Sequence, residues 1–282
     1  MSRLVQLARL NTRVAALALQ GRWLTPAVVA AGYDKVAPTY DTAWHRHLRP
    51  ATDDLLQRLP RGLAGVILDL GSGTGYTARH LAQANPTANV VAVDISPAML
   101  ECARREAPAN LRCVVSDMLG FARSQATASA ALIVSTWALG YSRPARLIRE
   151  CGRVLPGGGR FAFIVNYADT LAPIFRAFQR CMLAFPGCVR LAAWPRFPKD
   201  WGFLEQKLRQ SGFAIEWHQE GSRKITTPEG ALLPWLHQTG ILAGFEDMLD
   251  LSGPVAALFE AEMAGSRDSI HHHFTTAIAR RL

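Results

Sequence analysis

The sequence lacks the features of a disulfide-rich, zinc-binding or membrane-spanning protein. No C-x-x-C pair occurs, no secretory leader is recognised, and the cysteines are odd in number: Cys102, Cys113, Cys151, Cys181 and Cys188. We therefore expect unpaired thiols, no metal site and a cytoplasmic location. No apolar stretch reaches the roughly 18 residues that cross a bilayer.

Dense runs of basic residues are also missing, although the chain is strongly basic. The 31 lysines and arginines exceed the 22 acidic residues and give a net charge of +9, spread along 282 residues. Tails that bind nucleic acid are instead locally dense in charge. We expect a soluble arginine-rich protein, and an anionic acceptor or an anionic membrane surface is the second interpretation.

The first 31 residues contain four arginines and no acidic residue. On a helix, one face would be apolar and the opposite face would carry Arg9, Arg13 and Gln20. The apolar positions are Leu4, Leu7, Ala8, Val14, Ala15 and Ala18. Three interpretations are open. The segment packs over the core as a cap, and this is the interpretation that we favour. Alternatively, it lies on an anionic membrane surface or is a transit peptide.

The most informative stretch is VILDLGSGTG, residues 66–75. Its apolar half predicts a buried parallel strand, and the glycines that follow allow a tight turn and close approach of a ligand. A helix over about residues 77–84 would direct its first amide groups at that ligand. The spacing is G-x-G-x-G, and the last glycine of the dinucleotide fingerprint would fall on Tyr76.

Two further apolar strands also end in an acid. Asp94 follows the second strand, and it either accepts the hydroxyls of a ribose, which we favour, or serves as an acid at the start of a helix. Asp117 follows the third strand, where it could accept a hydrogen bond from an adenine amino group beside Met118. Ligands of open α/β sheets bind at this carboxyl edge.

Four blocks, in this order, resemble the class I S-adenosylmethionine-dependent methyltransferases. They are VILDLGSGTG, VVAVDIS, VVSDM and LIRECGRVLPGGGRFAFI, and the resemblance covers about residues 30–165. YDKVAPTYD, residues 33–41, is similar to the amino-terminal tyrosine motif of the ubiquinone/menaquinone and biotin-pathway branch. No Asn/Asp-Pro-Pro-Tyr block follows the fourth strand, which argues against methylation of adenine or glutamine amino groups.

The resemblance implies an α/β fold, a doubly wound, mostly parallel, seven-stranded Rossmann-like sheet with an antiparallel last strand and helical cap insertions. We expect an amino-terminal helical cap over residues 1–62 and a cofactor-binding core over 63–165. A helical lid would occupy 166–200. The rest of the core would occupy 201–282, with a second helical insertion at about 228–266.

The resemblance also implies S-adenosyl-L-methionine as cofactor and a set of residues that bind it. Gly71, Gly73 and Gly75 would line the methionine portion, Asp69 would approach its amino group, and Asp94 would hold the ribose. Asp117 and Met118 would hold the adenine. The full expected set is Tyr33, Asp69, Gly71, Ser72, Gly73, Gly75, Asp94, Ile95, Asp117, Met118 and Ser135.

The acceptor side is less specified by sequence. The insertions are rich in aromatic residues, so we expect a small apolar, aromatic or lipid-like acceptor, methylated at oxygen or carbon, in a pocket between the amino-terminal segment and the insertions. The aromatic residues could equally pack the cap. Candidate bases are Tyr40, His45, Tyr141 and His237. The alternatives are a non-catalytic or regulatory cofactor-binding module and a nucleic-acid methyltransferase, although no nucleic-acid partner is expected.

Overall fold

The structure is a computed structural model that describes residues 2–192, 197–239, 241 and 246–282. The chain divides into two units. Unit 1 comprises residues 1–44, 171–194 and 223–272, and unit 2 comprises residues 45–170, 195–222 and 273–282. The predicted cap segment 1–62 thus divides after Trp44. Trp194, an aromatic residue of the predicted lid, lies outside the described residues.

Helices and strands alternate over most of the chain. The helices are α1 (Arg3–Leu19), α2 (Pro26–Val36), α3 (Arg46–Arg58), α4 (Tyr76–Ala84), α5 (Pro97–Arg105), α6 (Met118–Ser124), α7 (Pro144–Val154), α8 (Ala172–Ala184), α9 (Trp201–Gln210), α10 (Leu232–Thr239) and α11 (Gly253–Met263). A π-helical turn, Asp41–His45, directly precedes α3. Over the described part of the chain, no helix has both the length and the apolarity needed to cross a membrane.

Unit 2 is built on a seven-stranded sheet, as predicted. The strands are β1 (Gly65–Leu70), β2 (Ala88–Asp94), β3 (Leu111–Val115), β4 (Leu132–Thr136), β5 (Arg160–Asn166), β6 (Phe213–Lys224) and β7 (His271–Arg281). Their order is β3-β2-β1-β4-β5-β7-β6. Strands β1 to β5 pair in parallel, and β7 pairs antiparallel to β5. The carboxyl ends of β1, β2 and β4 therefore meet at one edge.

Both faces of this sheet are covered by helices. Ile67, Val90 and Leu132 belong to one buried cluster, and their neighbours Leu68, Val91 and Ile133 belong to another. Because successive strand residues point to opposite faces, a strand buried on both sides reads as a continuous apolar run. This burial explains why the sequence predicts these strands so clearly.

Unit 1 is helical within its described residues, apart from strand ends. Helix α8 packs against α11, with Phe178 stacked on Phe259 at 5.2 Å between ring centroids. Glu260 of α11 accepts hydrogen bonds from the backbone N–H groups of Leu232 and Leu233, at 3.0 and 2.8 Å. The carboxylate thereby caps the first turn of α10. The stacking of Phe178 on Phe259 indicates that aromatic residues of the insertions stabilise unit 1.

Helix α1 packs on α8, but the packing face differs from the apolar face marked by the periodicity. Leu17 is fully buried, and the Arg13 Nε donates to the Val189 carbonyl at 3.0 Å. Leu4, Leu7 and Val14 of the predicted apolar face are exposed. The helix therefore packs within unit 1 through the row that contains Arg13 and Leu17, and not through the face that the periodicity marks. The interpretation of the segment as a cap stays a prediction.

Candidate functional site

The turn between β1 and α4 is formed by residues 71–75. The N–H groups of Gly71 and Ser72 both donate to the Val93 carbonyl, at 2.8 and 3.0 Å, which fixes the turn to the end of β2. Gly71 has a φ of +77°, and a Cβ there would overlap the Ala138 Cβ. Gly73 has a φ of +53°, and no described atom lies within 4 Å of a Cβ built there. The turn is closely packed at Gly71 and open at Gly73.

Asp69 is the most unusual residue of the site. It is fully buried on β1, and within the described residues neither carboxylate oxygen has a hydrogen-bond partner. Burial, followed by the charge of Asp94, raises the pKa of Asp69 to about 8, although the nearby Ala78 amide acts in the opposite direction. The Ser72 hydroxyl is also buried without a described partner. Such groups are uncommon and call for a ligand or a specific role.

Asp94 links the glycine turn to the start of α5. One carboxylate oxygen accepts from the Gly73 N–H at 2.7 Å, and the other accepts from the Ser96 N–H at 2.9 Å. Ser96 caps α5 through the Met99 N–H. The structure therefore shows the helix-entry role that the sequence left open. The ribose contact of Asp94 and the cofactor contact of half-buried Ile95 stay predictions.

Asp117 caps the start of α6, as Ser96 caps the start of α5. Its carboxylate accepts from the Gly120 N–H at 2.8 Å, and the residue is exposed. Met118 is half-buried, and its sulfur lies 3.2 Å from the position of a Cβ on Gly71. The structure thus brings Met118 against the glycine turn. The adenine contacts of Asp117 and Met118 stay predictions.

The exit of β4 borders the same turn. The buried Ser135 Oγ donates to the Leu70 carbonyl at 2.8 Å, so this side chain fastens β4 to β1. Trp137 has a φ of +64°, which is an outlier for a bulky residue. Its indole N–H donates to the Thr52 hydroxyl at 3.0 Å, and its ring packs edge-on against Phe274. Strained backbone of this kind is concentrated at functional sites.

A cluster around Tyr76 was not predicted from the sequence. The Tyr76 hydroxyl donates to Asp53 at 2.5 Å, and the Arg49 guanidinium lies 4.6 Å from the Tyr76 ring centroid. His45 and His80 contact the same ring, with centroids at 4.5 and 4.4 Å. The cluster joins α3 to α4 directly after the glycine turn. The sequence analysis found no motif for this cluster. The π-helical turn that ends at His45, a feature frequent at functional sites, is visible only in the structure.

The four candidate bases are not all in one unit. His45 is buried against Tyr76, and Tyr141 packs edge-on against Phe197, both in unit 2. Tyr40 lies in unit 1, where its ring is 6.4 Å from that of Tyr33, and His237 is exposed on α10. The proposed contact of Tyr33 with the cofactor stays a prediction.

The comparisons with known proteins agree with the fold. A family model described as a methyltransferase domain matches residues 67–159. Over 223 residues the chain is 30% identical to demethylmenaquinone methyltransferase of Clavibacter sepedonicus, with 69% of the chain and 85% of that relative covered.

Two other relatives are matched over smaller shares of their length. Malonyl-[acyl-carrier protein] O-methyltransferase of Alcanivorax borkumensis is 33% identical, over 65% of the chain and 64% of the relative. The biotin biosynthesis bifunctional protein BioHC of Cellvibrio japonicus is 35% identical, over 54% of the chain and 30% of the relative. The chain thus spans less than two thirds of the length of these two relatives.

One solved structure shows the same fold. It is geranyl diphosphate C-methyltransferase from Streptomyces coelicolor A3(2), with a TM-score of 0.53, 15% identity, and 84% and 80% of the two chains covered. The fold is that of an α/β protein, a class whose ligands bind at the carboxyl edge of the sheet. The chain belongs to the class I S-adenosylmethionine-dependent methyltransferase family, whose cofactor is S-adenosyl-L-methionine.

The residues of the site fit this cofactor. S-adenosylmethionine carries an ammonium group and a sulfonium, and a buried carboxylate without a partner, as at Asp69, is stabilised by a nearby cation. The turn leaves room at Gly73, where a side chain would intrude. The unpartnered Ser72 hydroxyl offers a further polar contact.

Proposed function

We propose that the protein transfers a methyl group from S-adenosylmethionine to a small apolar, aromatic or lipid-like acceptor, at oxygen or carbon. The observation that carries this proposal is the buried Asp69, which has no hydrogen-bond partner among the described residues and lies two residues before a glycine turn that is open at Gly73. A cationic cofactor would supply the positively charged partner that the Asp69 carboxylate lacks among the described residues.

The bound cofactor supplies a methyl group already activated by the positive charge on sulfur. The task of the chain is therefore mainly to hold and orient the reactants. Asp69 would hold the cationic end of the cofactor, and the turn of residues 71–75 would fix its position. Asp94 keeps that turn in place through the Gly73 N–H. Asp117, together with Met118, would bind the adenine at the other end of the cofactor.

For the acceptor, we favour a quinone-type or related lipid-like ring. This preference rests on the similarity to demethylmenaquinone methyltransferase, because the chain covers 85% of the length of that relative. We also propose that the protein contacts a membrane peripherally through the basic segment 1–31, where such an acceptor would be dissolved.

A carboxylate acceptor is the second candidate. The relative from Alcanivorax borkumensis is named for methyl transfer to a malonyl group on a carrier protein, and the net charge of +9 favours anionic partners. A carboxylate needs no base, whereas a hydroxyl or an acidic carbon does. The two acceptors therefore differ in whether methyl transfer requires one of the four candidate bases. These are His45, Tyr40, Tyr141 and His237.

Radiolabelled S-adenosylmethionine distinguishes these functions. The protein is incubated with separate lipid, small-acid, carrier-protein and RNA fractions, and Asp69→Asn serves as the variant impaired in cofactor binding. We expect label in the lipid fraction. Label in the acid or carrier-protein fraction supports the second candidate, and salt-sensitive label in RNA supports a nucleic-acid methyltransferase. Cofactor binding without transfer to any fraction would identify a binding module.

The need for a base is tested on the same acceptor. Variants His45→Phe, Tyr40→Phe, Tyr141→Phe and His237→Ala are compared at saturating cofactor. A base contributes roughly 100-fold or more to the rate, so a loss below about tenfold in every variant indicates catalysis by positioning.

A further inference from the structure

Helix α1 presents an apolar surface that unit 1 does not cover. Leu4, Leu7 and Val14 fall on one helical face and are 79%, 39% and 37% exposed. We call these three residues, with Ala8 and Ala15, the α1 stripe. It lies on a different side of the helix from Leu17 and Arg13, which face α8 and its following turn. The helix is thus docked on one side and apolar on another.

The apolar surface continues past the end of α1. Leu19 is 90% exposed, and Trp23 is about half-exposed. Single exposed apolar residues are ordinary, but a row of them on one short segment is typical of an interaction site. A tryptophan with one polar N–H suits the boundary between water and hydrocarbon.

The charges around the stripe have one sign. Arg3, Arg9 and Arg22 are exposed, and residues 1–33 contain no aspartate or glutamate. A helix with an apolar face and with arginines on the remaining, polar part of its surface is the pattern of helices that lie in the interface of an anionic membrane.

We propose that α1 binds flat on an anionic membrane, with the α1 stripe, Leu19 and Trp23 inserted among the lipids and Arg3, Arg9 and Arg22 on the headgroups. This specifies the membrane contact of the proposed function, and it holds whichever acceptor is methylated. Docking on unit 1 and membrane binding are then compatible, because they use different sides of the helix.

A second copy of the chain is a poorer occupant of this surface. A two-fold interface brings the same patch of both copies together, so the arginines of one helix would meet those of the other. No acidic residue of the segment could offset this repulsion. Anionic lipid supplies both the hydrocarbon and the negative charge.

Vesicle flotation with the full chain tests the proposal. The probes are phosphatidylcholine vesicles with and without about 30 mol% phosphatidylserine. We expect binding to the anionic vesicles, and a loss of at least about tenfold in partitioning for Leu4→Ser/Leu7→Ser/Val14→Ser. The matched control Leu282→Ser changes an exposed apolar residue that directly follows β7 and should bind like the parent.

Charge is tested separately. Arg3→Glu/Arg9→Glu should weaken binding strongly at about 0.1 M salt, and the parent should itself lose binding at about 1 M salt. The control Arg146→Glu reverses an exposed charge on α7 and should have a much smaller effect. All substituted residues are exposed. Unchanged circular dichroism and cofactor binding would confirm that the variants fold.

Two results would overturn the proposal. One is vesicle binding that the triple serine variant leaves unchanged. The other is an absence of vesicle binding, whether or not the same variant abolishes self-association or the binding of an acidic protein. A chain that binds cofactor and transfers methyl groups but ignores vesicles refutes this inference alone. A chain that binds vesicles without any methyl transfer refutes the proposed function alone.

Discussion

At the residue scale, Asp69 is the best single test of the cofactor site. Asp69→Asn keeps the shape of the side chain and removes its charge. A hydrogen bond to a charged group contributes about 1.5–3 kcal/mol, so we expect S-adenosylmethionine to bind at least about tenfold more weakly by calorimetry. Asp54→Asn, which changes an exposed ion pair with Arg58, should bind cofactor normally. Equal affinities of both variants would place the cofactor elsewhere.

The same residue predicts a pH dependence of stability in the absence of cofactor. Its pKa rises from 3.8 to about 8 on folding, so between these values the native chain binds more protons than the unfolded chain. Asp69 therefore lowers stability as the pH rises through this window, and below about pH 4 it has no such effect. We expect the melting temperature of Asp69→Asn, relative to the parent, to increase from pH 4 to pH 8. A constant difference would contradict the raised pKa.

Gly73 provides a second test at this scale. Gly73 and Gly62 both have positive φ, and no described atom lies within 4 Å of a Cβ at either position. Alanine at each should therefore cost about 1 kcal/mol of stability through backbone strain alone. Only Gly73→Ala should also weaken cofactor binding, because its methyl group enters the space beside Asp94. Equal affinity of the two variants in calorimetry would show that the cofactor does not run past Gly73.

At the element scale, α3 and α4 are joined by the hydrogen bond between Tyr76 and Asp53. Tyr76→Phe removes the hydroxyl and should destabilise the protein by about 1–2 kcal/mol in urea unfolding. In a double-mutant cycle with Asp53→Asn, the two effects should not add. Burial and Asp53 raise the pKa of Tyr76 to about 12, so the coupling should be the same at pH 6 and pH 9. Additive effects would mean that the two side chains do not interact.

The parallel strands could be predicted from the sequence, because the apolar pattern of each strand already indicates how it is covered. Strands covered on both faces are continuously apolar, and parallel strands end at one edge, so Asp69, Asp94 and Asp117 could be assigned to a common region. The packing face of α1 could not be predicted, because periodicity marks apolar residues without saying which neighbour is available. The bond between Asp53 and Tyr76, far apart in the chain, and the left-handed conformation of Trp137 likewise depend on tertiary contacts.

At the scale of the whole molecule, the five thiols report on both units. Cys151 in unit 2 and Cys181 and Cys188 in unit 1 are buried, and burial raises the pKa of each thiol. Because the thiolate is the reactive form, these three should react slowly with iodoacetamide. Half-buried Cys102 should react first. Cys113 should follow it, because burial raises the pKa of this half-buried thiol too, and all five should react after unfolding. Mass spectrometry identifies the sites.

Cofactor binding should slow the labelling of Cys151, because a ligand stabilises the unit that binds it. We also propose a cytoplasmic location, in which all five cysteines would stay reduced. Disulfides in protein isolated without reductant would contradict that proposal.

The first 32 residues contain no histidine, lysine, aspartate, glutamate or cysteine, and arginine is their sole ionisable side chain. Arginine keeps its charge at every physiological pH. The attraction of α1 to lipid should consequently be indifferent to acidification and respond to headgroup composition and ionic strength. In a cell, such a segment would discriminate between membranes by their lipid charge, and would remain bound when the pH beside them falls.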